Sequence, residues 1–332
     1  VGAIGLLVHR LARAAGGAVI GRPVRDPFPG IQFHPVQPGW GLTETMRYAR
    51  GVAAVLRDLR PDVVEVHNRP EIALHLARRF PRVVLFLHND PQGMRGAKTG
   101  ADRTRLLRRL ARVVTVSEHL RGLFLQGAAG EVTVLPNSID VPERIRKVRD
   151  RLILFVGRVV HDKGADAFVD ACAAVLPQLP GWRAEMVGAD RFTSHSRPTP
   201  FTEQIHQRAA AASVCLCGYL PHDATMERMS RAAIAVVPSR WPEPFGLSAL
   251  EAMAHGAALV CSRRGALPEV AGDCAVYASP DAPGAVAAAV LALAQDVDRR
   301  TTLAAAARVR AAQFDTGPAA QLLLALRAEL AG

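Results

Sequence analysis

With 332 residues, 41 Lys/Arg against 30 Asp/Glu and a net charge of +11, the chain exceeds what one hydrophobic core usually serves, so two domains are expected. No run approaches the ~18 uninterrupted apolar residues of a membrane span, and the start lacks the basic-then-apolar pattern of a secretory leader, so a cytoplasmic protein is expected. Aromatic residues are 5% of the chain and do not interleave with its basic clusters, which argues against nucleic acid as a partner.

In chain order, Val1-Gly-Ala-Ile-Gly5 leads directly into a helical pattern over 6–15. Strand patterns follow at 61–67, 82–88, 111–117 and 131–135, with helical patterns between most of them. Two strand ends carry similar tetrads, His67-Asn-Arg-Pro70 and His88-Asn-Asp-Pro91. Asn, Asp and Pro there serve equally as plain turn formers or as polar groups facing a ligand. Residues 1–140 hold 20 Lys/Arg against 11 Asp/Glu. Arg105, Arg108, Arg109 and Arg112 fall on one face of a predicted helix whose other side carries Leu106, Leu107 and Leu110. Such a face suits an anionic membrane surface, and it equally suits plain solvation.

Residues 141–151, charged and opened by Pro142, read as a linker. Strand and helix then alternate through 151–156, 183–187, 214–217, 234–237 and 258–261, ending in Ala-rich helices from 282 onward. Residues 190–200, rich in Ser, Thr, Pro and His, read as a surface loop. The five cysteines all lie in this half. Cys215-Leu-Cys217 has no second pair at zinc spacing, so buried reduced thiols are expected rather than a metal site.

Two βα units carry the chemistry. The strand at 151–156 runs into Gly157-Arg-Val-Val-His-Asp-Lys-Gly164 and a helix. Glycines allow close backbone approach, the helix start offers free N–H groups, and Arg158 and Lys163 add two cations, a combination that asks for a diphosphate. It is neither a Walker A loop nor a dinucleotide fingerprint. The second unit, Glu243-Pro-Phe-Gly-Leu-Ser-Ala-Leu-Glu251, places one carboxylate in a loop and one on the following helix. Beyond a parallel strand's carboxyl end, that pair can grip a polyhydroxylated ligand at two points, although each carboxylate alone could be an ordinary surface group. The one Asp-x-Asp triplet, Asp296-Val-Asp298, adjoins Arg299 and Arg300 away from any strand end, so no metal is expected.

Phe155-Val-Gly-Arg158 with Lys163 and Gly164, the Glu243 to Glu251 motif, Gly265-Ala-Leu-Pro-Glu269, Leu135-Pro-Asn-Ser-Ile-Asp140 and His88 occur in an order that resembles glycosyltransferase family four. The resemblance implies an α/β chain of GT-B architecture, with two doubly wound Rossmann-like domains facing an interdomain cleft. An acceptor-side domain would span 1–140, the linker 141–151, and a nucleotide-sugar domain 152–315, with a final helix in 316–332 crossing back to the first domain. It implies a retaining, metal-independent transferase that moves a hexose from a UDP- or GDP-sugar to a glycan or lipid-linked acceptor in cell-surface polysaccharide or lipopolysaccharide synthesis, with no cofactor beyond the donor. Carried over residue by residue, Arg158 and Lys163 would bind the pyrophosphate, Glu243 the sugar hydroxyls and Glu251 the ribose. The Phe245-Gly246-Leu247 backbone would face sugar and phosphate, Leu220 would adjoin the base, and His88 would reach the donor sugar. Asn68 and Arg69 would face the acceptor, with Gly2 and Gly5 as remnants of the family's Gly-rich acceptor loop. The family opens on a strand that this chain lacks before its first helix. That departure leaves open an inactive nucleotide-sugar-binding subunit, and a non-hydrolysing nucleotide-sugar epimerase would share the same fold.

Overall fold

Short runs of Val, Leu, Ile and Ala with no polar face must be covered on both sides, which is why the strands of this chain pair in parallel and alternate with helices. The computed structural model describes residues 2–190 and 199–332; most of the stretch read as a surface loop, 191–198, lies outside the described residues. The chain divides into a first unit, Ala3–Ser138 with Thr316–Gly332, and a second, Ile139–Asp315.

The first unit runs α1 (Ala3–Ala15), β1 (Ala18–Gly21), β2 (Gln32–Pro35), α2 (Glu44–Leu59), β3 (Val64–His67), α3 (Pro70–Leu76), β4 (Val83–Leu87), α4 (Gly100–Arg109), β5 (Arg112–Thr115), α5 (Glu118–Leu125) and β6 (Thr133–Val134). Strands β3-β4-β5-β6 form one parallel sheet, while β1 and β2 pair separately. Side chains alternate across the sheet with period two. Val83, Leu85 and Leu87 face a core with Leu56, Ile72 and Leu106. Val84 and Phe86 face the opposite core, with Leu7 and Leu11 of α1 and with Leu323 and Leu326 near the C-terminus.

The second unit runs β7 (Asp150–Val156), α6 (Ala165–Val175), β8 (Arg183–Val187), α7 (Pro200–Ala211), β9 (Val214–Gly218), α8 (His222–Arg231), β10 (Ala232–Val237), α9 (Leu247–Ala254), β11 (Ala258–Cys261), α10 (Leu267–Ala271), β12 (Ala275–Tyr277), α11 (Ala285–Gln295) and α12 (Val297–Ala311); α13 (Thr316–Ala331) then rejoins the first unit. The six strands are parallel in the order β12-β11-β10-β7-β8-β9. From the central pair β7 and β10 the chain therefore winds outward in both directions, so the topological switch lies between them.

Several expectations change. The stretch 141–151 is no free linker. Asp150 and Arg151 open β7, Arg149 donates to the Ser230 and Ala232 carbonyls at 2.9 and 3.3 Å, and Arg308 donates to those of Pro142 and Glu143 at 2.9 and 3.1 Å. The unit boundary falls instead at 138/139 and 315/316, where Ile139 bridges Asp315. Gly5 is inside α1 rather than in a loop, because the apolar repeat that buries Leu7 and Leu11 draws it into the helix, while Gly2 precedes that helix. Arg112 leaves the basic face, since α4 stops at Arg109 and Arg112 starts β5, where it pairs with Glu329 and, at 3.6 Å, with Glu131. Asp296 caps α12 by accepting from Arg299 N at 2.8 Å. Cys172 and Cys261 are buried, but Cys215, on edge strand β9, is exposed.

Candidate functional site

The second unit concentrates its candidate residues at the switch point. The loop after β7 is pinned from both sides by glycines. Gly188 has φ +141, and a Cβ there would lie 1.8 Å from the Gly157 carbonyl oxygen; Gly164 has φ +71, and a Cβ there would lie 1.9 Å from the Pro238 carbonyl oxygen. No L side chain fits either place. The loop after β10 is fastened to the first loop through one carbonyl, that of Asp162, which accepts from Arg240 N at 2.8 Å, Trp241 N at 3.0 Å and Ser239 Oγ at 3.2 Å. Arg240 adds ion pairs to Asp166 at 2.7 Å and Asp281 at 2.8 Å.

With both loops fixed, Lys163 Nζ reaches Glu243 Oε1 at 2.6 Å across 80 residues of sequence. Glu243 is 7% exposed, so its carboxylate needs this partner: a buried charge without one is costly. Ala266 N donates to the Glu243 carbonyl at 2.8 Å, and Gly265, with φ +60, lets that loop lie flat where a Cβ would come within 2.3 Å of the same oxygen. Gly246 then opens α9 at φ +101. Phe245 turns into the core against Phe314, ring centroids 5.7 Å apart, so its side chain packs inward.

Arg158 stands exposed at the start of the first loop, and Glu251 is half-buried on the second turn of α9. The structure thus brings Lys163, Glu243 and the 245–247 backbone together with Arg158 and Glu251 on the same two βα units. Leu220 lies past the end of β9, with β8 and β7 between that strand and β10. Sequence reasoning missed Asp162, Gly188 and Arg240 as positioning groups. Gly188, directly after a strand, carried a readable signal; Arg240 carried none, because its partners are scattered along the chain.

The first unit places His67 and His88 on adjacent strand ends. β3 and β4 pair with His67 opposite Phe86, and the imidazoles stack at 5.2 Å with His67 Nδ1 to His88 Nε2 at 2.9 Å. Asn68 adopts a left-handed φ of 56° and its Oδ1 accepts from His88 N at 2.7 Å, whereas Arg69 is exposed at the start of α3. Burial lowers His67 to about 4, helped by Arg327. Burial and the neighbouring His67 lower His88 to about 3. Both rings are therefore neutral near pH 7. Asn137 lies close enough to favour the protonated His88 ring slightly, yet His88 Nδ1 and Asn137 Oδ1 are both buried without a hydrogen bond of good geometry.

Parallel strands flanked by helices, with polar groups gathered at carboxyl ends and a charged pair at the switch point, define an α/β protein whose candidate residues lie where open sheets of this kind take their ligands. The chain belongs to the glycosyl transferases group 1 family, whose pattern it matches over residues 139–310, while residues 7–143 match glycosyltransferase family 4. It is similar to the glycogen synthase of Mycobacterium tuberculosis, 32% identical over 281 residues covering 76% of this chain and 65% of that one; it thus spans less than two thirds of that relative's length. In fold it resembles sucrose-phosphate synthase from Thermosynechococcus elongatus, TM-score 0.80 at 20% identity over 99% of this chain and 94% of that one. It also resembles Anabaena HepE in complex with UDP and glucose, TM-score 0.78 at 21% identity over 98% and 96%. The architecture is GT-B. Among the described residues no helix is long and apolar enough to cross a membrane.

Proposed function

We propose that this chain is a retaining, metal-independent hexosyltransferase that takes a UDP- or GDP-sugar as donor and a glycan or lipid-linked molecule as acceptor, in cell-surface polysaccharide or lipopolysaccharide synthesis. The observation that carries the reading is the Lys163–Glu243 contact at the switch point. Breaking an anomeric C–O bond leaves positive charge on the sugar and negative charge on the departing diphosphate, so a site for this reaction needs fixed cations on one side and hydroxyl acceptors on the other. Lys163 and Arg158 supply the first and Glu243 the second, with Glu251 one helical turn further for the ribose and the 245–247 backbone at a helix start toward the phosphates.

Donor binding would replace part of an existing ion pair, because Lys163 must serve both Glu243 and the diphosphate. Glu243 thereby keeps the lysine in position before the donor arrives. On the acceptor side, a neutral His88 presents its ring rather than a charge, with Asn68 and Arg69 beside it. The complexes of Anabaena HepE with UDP and with UDP-glucose favour a uridine donor among the two bases.

The test is thermal stabilisation by UDP, GDP, ADP and their sugars, with and without EDTA. At 100 times Kd a ligand adds about 2.7 kcal/mol. The expected result is stabilisation by one base class, insensitive to EDTA and lost in Lys163→Ala. A cooperatively folded chain that responds to no nucleotide would overturn the reading.

A further inference from the structure

The most exposed large apolar side chains of the first unit are Trp40 and Leu42, 76% and 86% accessible, on the turn between β2 and α2. This turn is held in one shape. Gly39 N donates to the Arg47 carbonyl at 2.9 Å and Arg50 Nη1 donates to the Trp40 carbonyl at 2.7 Å. A Cβ on Gly39 would lie 3.0 Å from Arg50 Cβ, and one on Gly41 would lie 3.1 Å from Met46 Cβ and 3.2 Å from Arg47 N. The two glycines press the backbone onto the first turns of α2, so the two apolar side chains project from a fixed base.

Cations surround that base. The Arg50 guanidinium sits 5.0 Å from the Trp40 ring centroid and Arg47 is exposed on the next turn. Arg50, Arg78 and Arg79 all act on His75, and Arg22 and Arg69 both act on Tyr48 of α2. Glu44, the acid at the same end of α2, is taken up by Arg22 at 2.5 Å. The basic field therefore continues from the Trp40 turn to Arg69, beside His67 and Asn68.

We infer that the Trp40–Leu42 turn is a docking tip for an anionic lipid surface, with the aromatic ring at the headgroup level, the leucine below it, and Arg47 and Arg50 on lipid phosphates. Apolar insertion and cation attraction each give marginal binding and together give a useful one. A glycan would use the tryptophan face but has no use for a leucine 86% exposed beside it. The helix face expected from sequence to serve this role is weaker: Arg105, Arg108 and Arg109 are exposed, but Leu106 and Leu110 are buried. It can attract a membrane but offers nothing to insert.

The inference deepens the lipid-linked side of the proposed function and rests on that reading for its purpose; vesicle binding is measured without donor or acceptor, so the two fail separately. The experiment is flotation of the full chain with vesicles of phosphatidylcholine alone and of phosphatidylcholine mixed with phosphatidylglycerol. Wild type should bind the mixed vesicles only, and less at high salt. Trp40→Ser/Leu42→Ser should lower partitioning about tenfold, the equivalent of about 1.4 kcal/mol, while Arg105→Ser/Arg108→Ser/Arg109→Ser should stay within about threefold, as expected for a face whose leucines are buried and cannot insert. In a Trp182→Phe/Trp241→Phe background, Trp40 emission should shift to the blue on the mixed vesicles. The inference is overturned if wild type ignores the mixed vesicles, if the tip variant binds them like wild type, or if Trp40 emission responds to a soluble oligosaccharide and not to lipid. Vesicle binding in a chain with no transferase activity would uphold the tip and sink the proposed reaction.

Discussion

At the ends of β7 and β10 a lysine and a glutamate are held in charge contact, whereas at the ends of β3 and β4 two imidazoles are held neutral. Both clusters are built from residues on neighbouring parallel strands, but the means differ. The charged pair depends on two loops tied together at Gly164 and through the shared Asp162 carbonyl, with Gly188 packed on the first loop and Gly265 on the second. The histidine pair depends on burial, on stacking against Phe86 at 5.0 Å and on Asn68. Fixed charge suits a diphosphate leaving group, and a neutral ring suits a hydroxyl partner, so the difference in construction follows the difference in proposed task.

Stability measurements can break that comparison, beginning with the largest effect. Gly164→Ala forces a Cβ into the Pro238 carbonyl at a positive φ and should cost about 3 kcal/mol or more; an unchanged urea midpoint would mean the loops are not tied there. Lys163→Ala strands the buried Glu243 carboxylate and should cost about 2 kcal/mol, the lysine's partial exposure reducing the usual penalty. Lys163→Met/Glu243→Leu should recover most of that loss. On activity, Lys163→Ala should weaken nucleotide binding, while Glu243→Ala should lower turnover more than it lowers UDP or GDP affinity. Loss of free-nucleotide binding in Glu243→Ala would contradict the division of roles.

The histidine cluster should make stability depend on pH. Both imidazoles have folded values below the ordinary 6.5, so the unfolded chain takes up protons first as pH falls. Their contribution is full above about pH 6.5 and is lost progressively as pH falls through the folded values, about 4 for His67 and about 3 for His88. His67→Phe/His88→Phe should flatten the denaturation midpoint across that window; a profile that stays as steep would place the acid sensitivity elsewhere. Arg158→Ala should be the mildest, within about 0.5 kcal/mol of wild type in stability, with its effect confined to donor affinity.

The apolar strand run at 82–88 and the Ala-rich helical repeats were legible because each is a pattern within one element. So were the glycines of the 157–164 loop and of the 243–251 motif as places of close backbone approach, although what approaches Gly164 is the Pro238 carbonyl of another loop. The short strands β1 and β2 were not legible: four residues each, Ala-Val-Ile-Gly and Gln-Phe-His-Pro, carry too little alternation to declare themselves. The basic helix face was overread by one arginine because an i+7 spacing continues on paper after α4 has ended.

The amino-acid order by itself determined the alternation of strand and helix, the phosphate-suited turn and the two carboxylates, all of which depend on neighbours within about ten residues. Only tertiary structure decided that Lys163 and Glu243 touch, that His67 fixes one nitrogen of His88, that residues 316–331 pack with α1, and that Trp40 and Leu42 project while Leu106 and Leu110 do not. Each of these joins residues distant in sequence or depends on which face the packing covers, and such contacts are set by the sheet order and the core rather than by any local pattern.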